Sequence, residues 1–402
     1  MDKQSLTICL ISTGFYPHDG GGIGTYSYNL AQGLSAQGHK VIVITQTKEE
    51  DTVDQIGAVT VYRFKSRYYP QLEKLIPGLA WSRFVARQID ELNQKYHFDV
   101  IEFPNWEGVG YCYVNKKNRK PVVIRLHTPY FETLAIDQGN HRMKLSDRFI
   151  CWLEKQSCLK SDRLVSSTEC HKTMMKEQYH LDEKKVTILP LGIGTNSKNV
   201  GRIEDKSEKI IKILYVSRLE HRKGTMVLLQ CIPELLAKHA NIDFVIIGKD
   251  RPHAPDGRYH KEYFEQTYAH CKGKVLFLGY VSNEELEQYY TQADIFVVPS
   301  LYESFGLIYV EAMMKGKAVI GTKAGGIPEV IKDGETGILV QPESVEDLYR
   351  AVELLIAHED LRQNLGRLAK VHAEKEFNTP LMAQRSAEHY RQAIKECRFH
   401  EG

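Results

Sequence analysis

Two basic side chains, Arg218 and Lys223, stand five residues apart immediately after an apolar run that is typical of a buried strand. There both side chains follow the carboxyl end of the strand and precede the next helix, whose dipole favours an anion. A planar guanidinium and a compact ammonium together suit a diphosphate. A basic loop is by composition more often only solvated, so it is the position in the fold that favours a diphosphate site.

Two carboxylates, Glu303 and Glu311, flank a turn that follows another apolar run. Ionised carboxylates accept strong hydrogen bonds, so they suit vicinal hydroxyl groups. The backbone N–H groups of the turn, at the start of the next helix, add an anion site. The turn consists of Ser304, Phe305, Gly306 and Leu307.

A glycine run and a histidine complete the candidate site. Gly21, Gly22 and Gly24 follow the first strand and open an amphipathic helix, so their backbone N–H groups can approach a phosphate closely. Neither GxGxxG nor GxxxxGK[ST] occurs there. His127 ends another strand, in a loop held by Pro129 from which an imidazole can reach a ligand, although a lone histidine is as often structural.

The elements that must position these residues alternate between strand and helix. Short runs rich in Val, Ile and Leu recur, separated by helix-length segments, which is typical of parallel sheets buried on both faces. The predicted strands are residues 6–12, 40–45, 59–64, 100–103, 122–126, 164–166 and 186–189, and then 211–216, 243–247, 275–278, 295–298, 318–321 and 337–340. Helices are predicted over 345–358, 361–376 and, after Pro380, 381–395.

The strand and helix series occurs twice, with a polar stretch between the two copies. We therefore predict an α/β protein of two tandem Rossmann-like domains that face each other across a ligand-binding cleft. The first domain covers residues 1–193, the linker 194–209 and the second domain 210–379, and residues 380–402 form a last helix.

Composition excludes several classes of protein. The 402 residues carry 53 basic and 51 acidic side chains, a balance that argues against a nucleic-acid partner. Eight cysteines without a CxxC pair give neither a zinc pattern nor a disulfide framework.

The sequence begins without a signal peptide and lacks an apolar stretch of roughly 18 residues, so we expect a cytoplasmic protein. The segment 79–89 combines apolar and basic residues and allows at most a weak peripheral contact at the inner face of the membrane, but its helical spacing favours a core role.

Together these four elements resemble the family 4 branch of the GT-B retaining glycosyltransferases, also called glycosyl transferases group 1. The most specific element is the Glu-x7-Glu motif within ESFGLIYVEAM, followed by the Arg218 and Lys223 spacing, the GGGIG loop and His127. The resemblance covers nearly the whole chain. It implies an acceptor-side first domain, a nucleotide-sugar-binding second domain and a last helix that crosses back to the first domain.

The resemblance also implies a role for each residue. Glu303 would contact hydroxyl groups of the donor sugar and Glu311 those of the ribose. Arg218 and Lys223 would neutralise the diphosphate leaving group, and His127 would touch the donor sugar.

Further donor contacts follow from the same resemblance. The glycine run around Gly22 would close over the phosphates. Gly248, Tyr280 and Val281 would line the nucleobase pocket, largely through their backbone. The turn between the two glutamates would add N–H groups to the donor site.

The implied reaction is transfer of a hexosyl group, with retention of configuration, from a nucleotide-sugar to a small-molecule, glycan or lipid-linked acceptor. A UDP-sugar is the first expectation by family frequency and a GDP-sugar the second. Fixed cations stabilise the departing diphosphate, so we expect no metal and no cofactor. No carboxylate pair of the retaining glycosidase kind can be assigned, which favours a front-face transfer.

Other functions stay open at this point. A sugar-nucleotide epimerase of the same two-domain architecture is the nearest alternative, and it would give no acceptor-dependent product. A nicotinamide-dependent oxidoreductase is disfavoured because GxGxxG is absent after both first strands. A binding module without activity is disfavoured because all the motif residues are present.

The sequence departs from the family pattern in two places. Leu191 and Gly194 stand where the interdomain sequence P-N-G-V-D has Asn and Asp, which affects the hinge and not the donor site. Residues 100–107 lack a histidine that relatives often carry, so Glu102, Trp106 and Glu107 are candidates for an unusual acceptor pocket. A core Trp106 and a solvated Glu107 are an equal alternative.

Overall fold

The computed structural model describes residues 5–17, 21–65, 78–138, 143–194 and 210–400. The chain divides into two compact units, one of Met1–Gly194 with Phe377–Gly402 and the other of Thr195–Glu376. Gly20 of the glycine run and the predicted linker 194–209, apart from Gly194, lie outside the described residues.

The first unit contains, within the described ranges, an eight-stranded sheet in the order β3-β4-β2-β1-β5-β6-β7-β8. Neighbouring strands are parallel except β3 and β4. The strands are β1 (Thr7–Ser12), β2 (Lys40–Thr47), β3 (Thr52–Ile56), β4 (Val59–Lys65), β5 (Val100–Pro104), β6 (Val122–Arg125), β7 (Arg163–Ser166) and β8 (Val186–Ile188). The sequence pattern missed β3 because this edge strand has no buried residue and so lacks an apolar run.

Helices in the first unit lie between its successive strands along the chain. They are α1 (Gly21–Ala36), α2 (Leu79–Tyr96), α3 (Tyr111–Val114), α4 (Tyr130–Gln138), α5 (Leu145–Lys160) and α6 (Glu169–Tyr179). Helix α1 buries Tyr26, Leu30 and Leu34, the predicted amphipathic face. Helix α2 buries Val85 and Ile89, so the apolar side of segment 79–89 packs in the core.

The second unit contains, in its described part, a six-stranded sheet in which all neighbours are parallel. Its strands are β9 (Ile211–Val216), β10 (Ile242–Ile247), β11 (Val275–Gly279), β12 (Ile295–Val297), β13 (Ala318–Thr322) and β14 (Ile338–Val340). The order β11-β10-β9-β12-β13-β14 is the 3-2-1-4-5-6 order of dinucleotide-binding sheets. The order reverses between β9 and β12, where such sheets bind ligands beyond the carboxyl ends of the strands.

Helices connect these strands, as parallel connections require, and two further helices follow β14. They are α7 (Thr225–Lys238), α8 (His260–Thr267), α9 (Asn283–Gln292), α10 (Leu307–Met314), α11 (Ile327–Val330), α12 (Val345–Ala357) and α13 (Glu359–Glu376). The two parallel sheets confirm the predicted α/β class with tandem Rossmann-like folds.

The last helix, α14 (Thr379–His400), belongs to the first unit. A Cβ atom on Gly33 of α1 would lie 2.6 Å from Cγ2 of Thr379, so the two helices pack closely only because residue 33 is glycine. The helix begins before Pro380 and not after it, because proline is tolerated in a first turn. No helix among the described residues is long and apolar enough to cross a membrane.

Candidate active site

The candidate donor site of the second unit lies where its strand order reverses. Strand β9 leads into residues 217–224, and β12 leads into residues 298–306. The N–H group of Leu301 donates to the carbonyl of Arg222 at 2.8 Å, which joins the two loops through their main chains. The predicted cations and the first predicted carboxylate are thereby brought to one edge of the sheet.

Lys223 and Glu303 form a buried ion pair across the two loops. The hydroxyl of Ser300 donates to the same Glu303 oxygen at 3.1 Å. Burial, with the positive charge of Arg222, lowers the pKa of Lys223 to about 8. Burial raises the pKa of Glu303, but the charges of Lys223 and Arg222 outweigh burial and leave this pKa below its ordinary value. Both groups are therefore ionised at neutral pH.

Arg218 forms its ion pair with Glu220, whose Oε1 lies 3.1 Å from the guanidinium. Glu220 is fully buried, whereas the Arg218 side chain is 43% exposed and available to a ligand. A second guanidinium, that of Arg222, donates to the same Glu220 oxygen at 3.1 Å and lies 3.7 Å from Glu303. The sequence motif singled out Arg218 and missed Glu220 and Arg222, because charged loop residues are usually solvated.

Helix α10 carries the second predicted carboxylate. Its N-cap, Gly306, has φ +92, a left-handed conformation that favours glycine. Glu311 lies in the second turn and accepts a hydrogen bond from the hydroxyl of Tyr290 at 2.8 Å. Burial, with a contribution from Glu287, raises the pKa of Glu311 to about 7. In the predicted turn Phe305 is buried.

The three predicted nucleobase contacts lie at the carboxyl ends of β10 and β11, on the same sheet edge. Gly248 follows β10 with φ +146, and a Cβ atom there would lie 1.7 Å from the carbonyl oxygen of Ser217. Its N–H group donates to the carbonyl of Gly279 at 2.8 Å. Tyr280 and Val281 follow β11, and the Tyr280 side chain is 70% exposed.

The glycine run of the first unit begins helix α1. A Cβ atom on Gly21 or Gly22 would have no described atom within 4 Å beyond the chain neighbours and local helix backbone, so both positions are open. A Cβ atom on Gly24 would lie 3.0 Å from the carbonyl oxygen of Gly14. Gly24 therefore serves helix packing, and the openness that a phosphate would need is found at Gly21 and Gly22.

His127 follows β6 and is buried. Its backbone N–H group donates to Oδ1 of Asn105 at 2.7 Å, and its ring packs edge-on against Tyr26 with centroids 5.4 Å apart. Burial, with the charges of Arg125 and His171, lowers the pKa of His127 to about 3, so the imidazole is neutral at physiological pH. Its Nε2 atom has no hydrogen-bond partner among the described residues.

The predicted acceptor-pocket residues divide between core and surface. Glu102 is buried and accepts hydrogen bonds from the hydroxyls of Tyr26 at 2.6 Å and of Tyr390 at 2.7 Å. It therefore anchors helices α1 and α14 and does not line a pocket, which corrects the prediction. Trp106 is half-buried with its ring against that of Tyr130, and Glu107 is exposed, with a left-handed backbone at φ +52.

In the part of the chain that the structure describes, no group of three or more His, Cys, Asp or Glu side chains is placed to hold a metal ion.

Two Rossmann-like units in one chain are the architecture of the GT-B class of glycosyltransferase folds. Solved structures match this chain over nearly their whole length. Sucrose-phosphate synthase from Thermosynechococcus elongatus has a TM-score of 0.80 at 21% identity and covers 97% of this chain and 100% of its own. Anabaena HepE in complex with UDP-glucose has a TM-score of 0.69 at 18% identity, over 96% and 100% of the two chains.

The family follows from the sequence matches. Residues 20–197 match the family described as Glycosyltransferase Family 4, and residues 197–372 match Glycosyl transferases group 1. The chain belongs to the group 1 and family 4 glycosyltransferases, which confirms the predicted family. It is 27% identical to a D-inositol 3-phosphate glycosyltransferase of Corynebacterium kroppenstedtii, over 94% of this chain and 86% of that relative.

Proposed function

We propose that this glycosyltransferase moves a hexosyl group from a nucleotide-sugar to an acceptor hydroxyl with retention of configuration and without a metal ion. The observation that carries the proposal is the cluster of Lys223, Glu303 and Arg218 at the strand reversal of the second unit. A UDP-sugar is the first choice of donor, supported by the UDP-glucose bound to the similarly folded HepE. A GDP-sugar is the second.

Charge stabilisation of the leaving group is the main task of the cluster. When the bond between sugar C1 and the phosphate oxygen breaks, negative charge grows on the diphosphate. The half-exposed Arg218 guanidinium and the Lys223 ammonium are held by carboxylates before the donor binds, so little reorganisation is needed. The ammonium has three donors and can hold Glu303 and a phosphate oxygen together. These fixed cations supply the charge that a metal ion would otherwise supply.

In this proposal the two carboxylates bind hydroxyl groups of the donor. Glu303 stays ionised and accepts hydrogen bonds from the donor sugar. Glu311, with a pKa of about 7, accepts from or donates to the ribose according to its protonation state. Gly248 and the segment after β11 are assigned to the nucleobase pocket, to which the segment presents the exposed Tyr280 ring. The N–H group of Gly248 already donates to Gly279, so this residue serves the pocket by its shape and its carbonyl.

Retention without a covalent intermediate is supported by the state of Glu303. One of its oxygens is engaged by Lys223 and Ser300 and the other faces Arg222, so the carboxylate is a poor nucleophile. In the proposed step the C1 bond to phosphate breaks, the acceptor oxygen bonds to C1 on the same face, and the acceptor proton passes to the departing phosphate. The acceptor is assigned to the first unit. His127 is assigned to a hydroxyl of the donor sugar, since its imidazole is neutral and its buried Nε2 atom has no partner among the described residues.

The test combines binding with product analysis. UDP, GDP and ADP are each titrated while the melting temperature is followed, since a ligand that binds only the native state raises it. Release of nucleoside diphosphate from the matching sugar donors is then measured with and without candidate acceptors, with and without EDTA, and the anomeric configuration of the product is read by NMR. The proposal expects one diphosphate to stabilise and release to depend on acceptor but not on EDTA.

Other outcomes contradict the proposal in separate ways. No stabilisation by any of the three diphosphates at millimolar concentration refutes a nucleotide-sugar donor. An inverted product refutes retention, and loss of activity in EDTA refutes metal independence. Interconversion of the donor without acceptor-dependent release supports the epimerase alternative instead.

A further inference from the structure

A third cation, Arg222, lies inside the donor-site cluster although the sequence motif does not include it. Its side chain is nearly fully buried, and its guanidinium faces carboxylate and carbonyl oxygens of the protein. Its guanidinium reaches Glu220 in its own loop, Glu303 in the loop after β12, and the carbonyl of Tyr302 at 3.3 Å. Arg222 is thus the side chain that touches both loops and both carboxylates of the cluster.

We propose that Arg222 is a positioning residue for glycosyl transfer, which holds Arg218 in place through Glu220 and the Lys223–Glu303 pair in place through Glu303. The proposal deepens the function proposed above and rests on it. Its proposed action is through these protein neighbours and not by direct contact with the donor.

The charges of the cluster explain why a buried guanidinium is needed. Arg218, Arg222 and Lys223 carry three positive charges against two on Glu220 and Glu303. A buried carboxylate without a paired cation is costly, so Glu220, which Arg218 reaches from the solvent side, needs Arg222 on its inner side. The surplus positive charge remains for the incoming diphosphate.

Arg222 also sets the electrostatic environment of Lys223. The charged groups that face the ammonium are Arg222 and Glu220 from its own loop and Glu303 from the loop after β12. Burial is the main reason that the pKa of Lys223 falls to about 8, and Arg222 is the next. Removal of the guanidinium charge therefore raises this pKa and extends the pH range in which Lys223 is protonated.

Two substitutions separate the charge of Arg222 from its shape. Arg222→Gln removes the positive charge, and Arg222→Lys keeps the charge but cannot bridge two carboxylates with a planar fork. Arg350→Gln is the matched control, since Arg350 forms an exposed ion pair with Glu346 on helix α12. For each full-length protein, kcat and KM for the donor are measured from pH 6 to 9.5, and the melting temperature is recorded with and without the nucleoside diphosphate that stabilises the wild type.

The proposal predicts different results for the two substitutions. Arg222→Gln should lower kcat/KM at pH 7 by about tenfold or more and move the alkaline limb of the kcat/KM profile to higher pH. Arg222→Lys should lower kcat/KM by several-fold and leave the limb near its wild-type position, because the cation remains. Arg350→Gln should match the wild type in both respects.

Other results would refute the positioning role of Arg222. A folded Arg222→Gln protein with wild-type kcat/KM, or with a lowered value and an unmoved alkaline limb, refutes the positioning role. If Arg222→Gln does not fold, the test rests on Arg222→Lys. A wild-type kcat/KM in Arg222→Lys would then refute the positioning role. If no diphosphate stabilises the wild type, the proposed function fails first and this inference fails with it.

Discussion

Substitution of Gly248 by alanine tests whether the backbone of the donor site requires glycine. Gly248 follows β10 with φ +146, a region that side-chain-bearing residues rarely adopt. The added Cβ atom would lie 1.7 Å from the carbonyl oxygen of Ser217 and 2.5 Å from its carbon. Because both atoms belong to the backbone, no rotamer change relieves the contact, and residues 217 and 218 must move.

The expected cost is the sum of two terms. Backbone strain at this φ value costs about 1–3 kcal/mol, and overpacking against a fixed neighbour adds about 1–3 kcal/mol. A total near 4 kcal/mol lowers the melting temperature of a domain of this size by roughly 8–16 °C. The control, Gly273→Ala, has φ +91 but no neighbouring atom within 4 Å, so it carries only strain. That strain of about 1–2 kcal/mol lowers the melting temperature by roughly 2–8 °C.

The assay is thermal unfolding of both variants and the wild type with increasing UDP or GDP. Gly248→Ala should be less stable than Gly273→Ala and should lose most of the ligand-induced rise, because the moved backbone carries Arg218. Gly273→Ala should keep the ligand-induced rise in full. If the two variants unfold within about 2 °C of each other and respond equally to the ligand, the close approach of Gly248 to Ser217 is not what constrains the site.

Three further predictions concern the cations of the candidate site, the buried His127 and segment 79–89. Arg218→Ala and Lys223→Ala should each lower kcat, because the loss of one stabiliser of a developing anion usually raises the activation free energy by roughly 3–4 kcal/mol. A kcat near the wild-type value in either variant would show that the substituted residue is not part of the site. In the folded protein the pKa of His127 is about 3, whereas in the unfolded chain it has its ordinary value of 6.5. Between pH 6 and pH 4 only the unfolded chain takes up this proton, so the free energy of unfolding should fall by about 1.4 kcal/mol per pH unit as the pH falls. Urea unfolding at pH 6, 5 and 4 should therefore show a shallower loss in His127→Gln, and an unchanged slope contradicts the buried neutral imidazole. Since the apolar face of segment 79–89 packs in the core, pelleting with anionic vesicles should be absent or should vanish at high salt, and salt-resistant pelleting contradicts this.

Sequence patterns predicted most of the fold because the sheets are buried on both faces. Strands such as Ile211–Val216 and Ile242–Ile247 appear as apolar runs, and buried parallel strands require such runs. The edge strand Thr52–Ile56 gave no such signal, since water covers most of its side chains. Pro380 was read as a break, but its ring fits the first turn of the last helix.

Local spacing also identified the motif residues, because the turn after each strand has few residues with which to build a site. Lys223 and Glu303 were each recognised from their own segment. Their contact was not, since 80 residues separate them and only the order of β9 and β12 brings their loops together. The burial of Glu220 and Arg222 escaped recognition for the same reason.

What the sequence alone determined is therefore the α/β class and the tandem arrangement, together with a set of candidate site residues. The tertiary structure decided which charges pair, which are buried and which remain available to a ligand. Glu102 illustrates the difference, because the hydroxyl that fills its second oxygen belongs to Tyr390, 288 residues away. Hydrophobic periodicity is a local property and can be read along the chain, whereas burial and ion pairing depend on neighbours that only the folded topology supplies.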